Sequence, residues 1–207
     1  PQPHAPRPSL NPTHAMALLF SANSLAMVAP NLTPGGRAVA EKMSGVTAPF
    51  GFFDPMGLTP ETNEELQLFR EAELAHGRVA MVGALGFLVQ EHFHPLFADV
   101  GGPAIRQLDV ILQTPNGLSA GTVMLFGIFF SEWSRAKIGW MEPEVEMRTL
   151  RPNYLPGDLG FDPLGFKPKD EAGLMTMQTK ELNNGRLAML ACAGIVAQEL
   201  VTNQPLF

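Results

Sequence analysis

Two short stretches hold residue types that could do chemistry, and they hold them twice. Glu73, His76 and Arg78 stand close together, and Glu181, Asn184 and Arg186 repeat the same spacing further along. A carboxylate, an imidazole or amide, and a guanidinium at these intervals suit charge compensation and metal ligation. They do not suit nucleophilic catalysis, which requires a nucleophile within reach of a base. At ~100° per residue, Glu73 and Arg78 lie ~140° apart on a helix, as do Glu181 and Arg186, so neither pair closes well within its own helix. If two such helices cross, Glu73 meets Arg186 and Glu181 meets Arg78. Arginine suits this arrangement, because its planar fork can serve a carboxylate and still donate elsewhere. Gly77, Ala80 and Ala84 on one stretch, and Gly185, Ala188 and Cys192 on the other, provide the small side chains a close crossing needs.

A carboxylate held by an arginine keeps an oxygen, and that oxygen is a hard donor suited to Mg²⁺. An all-protein Mg²⁺ cage needs about six oxygens, and the sequence offers no such cluster. A Mg²⁺ already held by four ring nitrogens needs one axial donor only. His76 follows Glu73 by three residues, Asn184 follows Glu181 by three, and each sits on a neighbouring part of the same face. Gln90 comes fourteen residues after His76, which returns to within ~40° of that face and ~21 Å along the axis. Gln198 stands at the same interval from Asn184. The pattern is single donors spaced along helix faces, one per macrocycle. Gln90 and Glu91 also read as residues marking a membrane boundary.

The elements that must position these groups are themselves repeated. Residues 53–91 align without a gap to residues 161–199, an offset of 108, with 15 of 39 positions identical. Phe53, Asp54, Pro55 and Gly57 match Phe161, Asp162, Pro163 and Gly165, and Gly86, Gln90 and Glu91 match Gly194, Gln198 and Glu199. Related helices entered by related loops predict a pseudo-two-fold pair. Three long helices are predicted in all, at about 64–92, 119–139 and 171–202, with the middle one outside the repeat. The predicted fold is an all-α membrane protein of three transmembrane helices, the first and third crossed and the middle one short. Residues 1–49 form a Pro-rich and apolar arm, and residues 50–207 the three-helix domain. Within the arm, residues 15–29 read equally as the core of a targeting peptide or as an apolar segment on a neighbour.

Composition agrees. Apolar residues are 45% and charged residues 16%, below the roughly 25% usual in globular domains. A net charge of −6 argues against a nucleic-acid partner, and a single cysteine, Cys192, excludes an intrachain disulfide framework. Between the first and second helices the only basic residue is Arg106, whereas basic residues gather before the first helix and after the second. That asymmetry fits three spans under the positive-inside bias. Charges inside the helices are allowed only if they are neutralised in the bundle. Trp133, Trp140 and Phe93 fit an interfacial aromatic belt, with His92 and His94 at the same boundary.

ELAHGRVAMVGALGFLVQE and ELNNGRLAMLACAGIVAQE resemble the first and third helices of the light-harvesting chlorophyll-binding antenna family. FFDPMGL and GFDPLGF resemble its two carotenoid head-group loops, and SEWSRAKIG the end of its middle helix. The resemblance spans roughly Phe50 to Thr202. It implies chlorophyll ligands at Glu73, His76, Glu181, Asn184 and Gln198, with Glu132 on the middle helix neutralised by Arg135. Gln90 is a further candidate, carried chiefly by the repeat. Carotenoid ends are implied at Asp54–Pro55 and Asp162–Pro163. Chlorophyll a, an accessory chlorophyll (c or b) and xanthophylls are the implied cofactors, the only metal being the Mg of chlorophyll. The implied setting is multi-pass, in the chloroplast thylakoid membrane and its lipids, beside neighbouring antenna subunits. FLVQEHFHPLF and YLPGDLGFDPLGF look like the red-lineage branch associated with photosystem I rather than photosystem II.

Some positions depart from the better-known plant pattern. Met124 replaces a glutamine donor, Asn183 replaces a lipid-holding lysine, and no C-terminal ligand histidine occurs up to Phe207. His76 stands where asparagine accompanies strongly red-shifted chlorophyll, which argues against such a form. Two other functions compete with light harvesting. An energy-dissipating member of the same family would use the same ligands. A small transporter with an inverted repeat would need broken helices and a midplane cavity. An enzyme is not expected, for want of a catalytic set.

Overall fold

The computed structural model describes residues 36–93, 95–97, 100–142 and 148–206. The expected arm through residue 35, the segment 15–29 and His94 lie outside the described residues. The described residues form the helices α1 (Gly36–Ala40), α2 (Asn63–His92), α3 (Ala104–Leu112), α4 (Gly117–Gly139) and α5 (Glu171–Thr202), with a 3₁₀ turn at Pro95–Phe97. Among the described residues, extended pairing is limited to isolated bridges at Thr47–Gly51 and Trp140–Leu150.

Local chemistry accounts for where the long helices begin. Thr62 caps α2 by accepting from the Glu65 N–H, and Glu64 and Glu65 place negative charge on its positive end. Asp170 caps α5 by accepting from the Gly173 N–H at 2.7 Å. Asn203, in the left-handed region at φ 52°, ends it.

Helices α2 and α5 form the principal contact of the fold. They approach most closely at Gly77 and Gly185. A Cβ on Gly77 would stand 3.1 Å from the Gly185 Cα, and one on Gly185 would stand 3.0 Å from the Gly77 Cα. Only two hydrogens fit there, which is why both positions are glycine. Leu74 and Leu182, offset by 108, are buried beside the contact.

The protein interior is thin. Beyond Ala40, Leu66, Leu74, Val100, Ala104, Tyr154 and Leu182, few described apolar side chains are buried. Exposure follows the repeat instead: Val82 and its mate Leu190 are each 74% exposed. Among the described residues α2 and α5 are the helices long and apolar enough to cross a membrane, and only 17% of either apolar stretch is buried. Thirty residues of helix reach ~45 Å, more than the ~30 Å hydrocarbon thickness of a bilayer. α4, the third expected span, has 23 residues but is not in this set. Glycine, serine and threonine, with Glu132, Arg135 and Lys137, dilute its apolar run.

Within the described residues α1 packs on α2, and Gly36 lies so close to the Pro60 carbonyl that a Cβ would overlap it. Between α2 and α4 the chain forms α3, a strongly amphipathic helix that touches α2, α4 and α5. Its brevity hid it from a search for membrane-length runs.

Candidate functional site

Where α2 and α5 meet, the two interhelical ion pairs are closed. Arg186 Nε donates to Glu73 Oε1 at 2.8 Å, and Arg78 Nε donates to Glu181 Oε1 at 2.7 Å. Each guanidinium has a second partner in a loop: Arg186 Nη1 donates to the Gly45 carbonyl at 2.6 Å, and Arg78 Nη2 to the Gly157 carbonyl at 2.8 Å. Both glycines have positive φ, and each touches the arginine it serves. A Cβ on Gly157 would stand 2.6 Å from Leu74 Cδ1, and one on Gly45 would stand 2.9 Å from Leu182 Cδ1. Gly45 and Gly157 escaped the sequence reading because they are not offset by 108. The space between Glu73, Gly77, Arg78 and Glu181, Gly185 admits no water-sized probe. A transporter would need a cavity there.

The carboxylates differ in what they have left. Glu181 engages one oxygen, and its Oε2 has no hydrogen-bond partner among the described residues. Glu132 receives both Arg135 Nε (3.1 Å) and Nη2 (2.6 Å) on Oε2, which leaves Oε1 outward on a half-exposed side chain. Glu73 engages both: Oε2 takes a bond from Arg70 Nη1 at 3.2 Å. Arg70 precedes Glu73 by three residues, a spacing that could have identified it.

The remaining donors sit on exposed helix faces. His76 Nδ1 lies 2.7 Å from the Ala72 carbonyl. A carbonyl only accepts, so Nδ1 carries the proton and the lone pair is on Nε2, the outward nitrogen. Asn184 and Gln198 are exposed. Gln90 is held differently from its mate Gln198, because its Nε2 donates to Gln107 at 2.8 Å. Gln107, only 2% exposed, passes the chain on to the Gly102 carbonyl. Nearby, the fully buried Glu199 accepts from Ile105 N–H at the start of α3, and Glu91 accepts from Leu206 N–H.

Glu71, 3% exposed, was not singled out in the sequence. It accepts from Arg135 Nη1 (3.1 Å), Tyr154 Oη (3.0 Å) and Gly157 N–H (2.7 Å), and so ties α2 to α4 and to the loop before α5. Burial, then the Glu71 charge, pushes the Tyr154 hydroxyl up to about 12. Its repeat mate is Thr179, so no residue-level match pointed to it.

The two Asp-Pro loops are built alike. Asp54 accepts from Leu58 and Thr59 N–H, and Asp162 from Phe166 and Lys167 N–H, all between 2.9 and 3.0 Å. Gly57 and Gly165 turn the chain at φ 65° and 67°. Both carboxyl groups are held below the usual aspartate range, Asp54 first by the Thr59 hydroxyl and Asp162 first by the Lys167 N–H. The aspartates shape the loops, and Phe53, Met56, Phe161 and Leu164 stand exposed on them. Beside the second loop a cleft of about 430 Å³ is lined by Ile138, Arg151, Tyr154, Leu155 and Asp158.

No group of three or more His, Cys, Asp or Glu converges among the described residues. Each donor can offer one bond to a metal whose other positions are filled by its own macrocycle. The arrangement fits a chlorophyll Mg: an arginine-compensated carboxylate with one oxygen outside the hydrogen bonds of the described residues at Glu181 and Glu132, a lone pair on His76 Nε2, and exposed apolar faces around them.

Comparison with known proteins gives consistent results. The profile of the Chlorophyll A-B binding protein family matches residues 39–200. Light-harvesting complex stress-related protein 1, chloroplastic, of Chlamydomonas reinhardtii is 46% identical over 179 residues, 82% of this chain and 69% of that protein. A chloroplastic fucoxanthin-chlorophyll a-c binding protein of Isochrysis galbana is 46% identical over 186 residues, 86% of this chain and 87% of that one. Chlorophyll a-b binding protein 7, chloroplastic, of Solanum lycopersicum is 34% identical over 175 residues, 74% and 58% respectively.

Proposed function

The chain belongs to the Chlorophyll A-B binding protein family, and on that premise we propose that it is a three-helix thylakoid antenna that passes excitation energy to a photosystem. The observation that carries the reading is the reciprocal pairing Glu73–Arg186 and Glu181–Arg78 at the Gly77–Gly185 contact, amid apolar faces that the other described residues leave exposed. A pseudo-two-fold axis through that contact relates α2 to α5, and α4 is the third span.

Chlorophyll absorbs the light and hands on the excitation; the chain holds, spaces and insulates it. Glu73, His76, Gln90, Glu132, Glu181, Asn184 and Gln198 are the residues that would hold the chlorophyll Mg, with Arg186, Arg78 and Arg135 compensating the carboxylates. A lone carboxylate in a low-dielectric interior would protonate, and a protonated carboxyl is a poorer Mg donor. His76 presents Nε2 because the Ala72 carbonyl holds the other nitrogen. Xanthophyll ends are proposed at the Asp54–Pro55 and Asp162–Pro163 loops, where apolar side chains and the 430 Å³ cleft offer room. Chlorophyll a is the main pigment, with chlorophyll c or b as accessory. The proposed partners are a photosystem core, photosystem I, together with neighbouring antenna subunits and thylakoid lipids.

A second reading is an energy-dissipating member of the same family. It is favoured by 46% identity to proteins named stress-related. Fluorescence lifetime of the isolated, pigment-loaded protein separates the two: a long lifetime supports harvesting, and a lifetime shortened in the isolated protein overturns it for dissipation. Co-purification with photosystem II alone would overturn the photosystem I assignment and leave the antenna reading in place.

A further inference from the structure

The repeat makes the Glu73 and Glu181 sites formally equivalent, yet their charges are not. Glu181 has one arginine, Arg78, on one oxygen. Glu73 has two: Arg186 on Oε1 at 2.8 Å and Arg70 on Oε2 at 3.2 Å. Arg70 is well covered, its side chain 13% exposed. Its guanidinium converges with that of Arg186 on Gly45, where a Cβ would lie 3.4 Å from Arg70 Nη1 and 3.2 Å from Arg186 Nη2. The repeat mate of Arg70 is Gln178, which carries no charge. Around Glu181 the balance runs the other way. Arg78 also faces Asp158 and the Tyr154 hydroxyl electrostatically, and Asp158 has Lys167 as its own partner.

We propose that Arg70 is a second counter-ion for Glu73, so that the two repeated carboxylate sites are unequal: the one at Glu73 keeps an arginine partner when Arg186 is lost, and the one at Glu181 has Arg78 alone among the described residues. This rests on the reading of both glutamates as pigment donors. Two features decide the inequality. First, Arg70 is on the same helix as Glu73, three residues away, so it stays beside the carboxylate even if α5 loosens. Second, the Arg70 bond is the longer of the two. Oε2 can therefore accept from Arg70 and still offer its remaining lone pair to a metal, since a carboxylate oxygen has two. The chlorophyll at Glu73 would sit beside an excess positive charge, and the one at Glu181 beside a neutral pair.

The test is refolding of the full chain with its pigments, counting chlorophylls per carotenoid and following helix ellipticity on heating. Two reference variants, Glu73→Leu with Arg186→Leu and Glu181→Leu with Arg78→Leu, remove each interhelical pair whole and define the pigment lost with each site. Arg78→Leu should lose as much chlorophyll as its reference. Arg186→Leu should retain most of what its reference loses. Adding Arg70→Leu to Arg186→Leu should bring the loss to the reference level, and Arg70→Lys in its place should restore binding, because charge rather than shape is what is replaced. The midpoint of helix melting should follow the same order. Equal losses in Arg78→Leu and Arg186→Leu, or no added loss from Arg70→Leu, would overturn the role of Arg70. If both reference variants kept every chlorophyll, the donor reading would fall instead, and the melting order alone would still decide whether Arg70 compensates Glu73.

Discussion

Asp54 and Asp162 show how a single side chain sets the behaviour of a loop. Each gives both carboxylate oxygens to backbone N–H groups that follow it, and each is held below the usual aspartate range. A carboxyl whose value is lowered by folding stabilises the loop while it is ionised. That contribution is complete above the ordinary aspartate value of about 4 and disappears as pH falls through the lowered value. Pepsin cleavage beside Phe53 and Phe166 should therefore be slow at pH 5 and rise only below about pH 4. Asp162→Ala should bring early cleavage to the second loop alone. Cleavage at both loops in that variant, or at neither, would show that the carboxylates do not hold them separately.

At the scale of elements, the two contacts that define the bundle are built differently. α2 and α5 meet glycine to glycine, a contact that depends on the absence of side chains. α4 reaches α2 through the Arg135–Glu71 pair, supported by Tyr154 and Gly157. Removing Glu71 takes the acceptor from three donors at once, although Arg135 keeps Glu132, and each unsatisfied buried group costs about 1–3 kcal/mol. Glu71→Ala should therefore release α4 and lower the melting midpoint sharply. Tyr154→Phe should cost only about 1 kcal/mol, since Glu71 keeps its other two donors. Because α4 carries Glu132, its release in Glu71→Ala should cost the pigment proposed at Glu132 while sparing those between α2 and α5. Spin-label distances between α2 and α4, with pigment counts, check this; an unchanged α4 position would assign its docking to α3 instead.

At the scale of the whole molecule, the described residues form little of the interior that usually holds helices together. Their buried apolar side chains are few, and most long apolar ones face outward. In hydrocarbon there is no hydrophobic drive between helices, so small-residue contacts, ion pairs and bound pigment must supply the cohesion. Pigment removal by solvent should leave α2 and α5 helical, because backbone bonds in lipid or detergent are satisfied within each helix. It should abolish the fixed distance of α4 from the pair. Retention of both the helix content and that distance after complete extraction would show the protein contacts to be sufficient without pigment.

Everything that depends on spacing along one helix was legible in the linear order. The ~140° separation of Glu73 from Arg78 excluded pairing within a helix and pointed to the reciprocal pairs. The offset of 108 matched the two helices, the two Asp-Pro loops and the glycines at the contact. What depended on distance between unrelated segments was not legible. Gly45 and Gly157 serve equivalent arginines from positions that share no offset. Glu71 gathers Arg135, Tyr154 and Gly157 across 64 to 86 residues of chain. α3, too short to read as a span, joins the far ends of α2 and α5 through Gln107 and Ile105. A repeat predicts equal halves because it compares residues one by one. The folded chain makes them unequal, because each half meets a different set of loops, and charge responds to everything within reach rather than to position in the sequence.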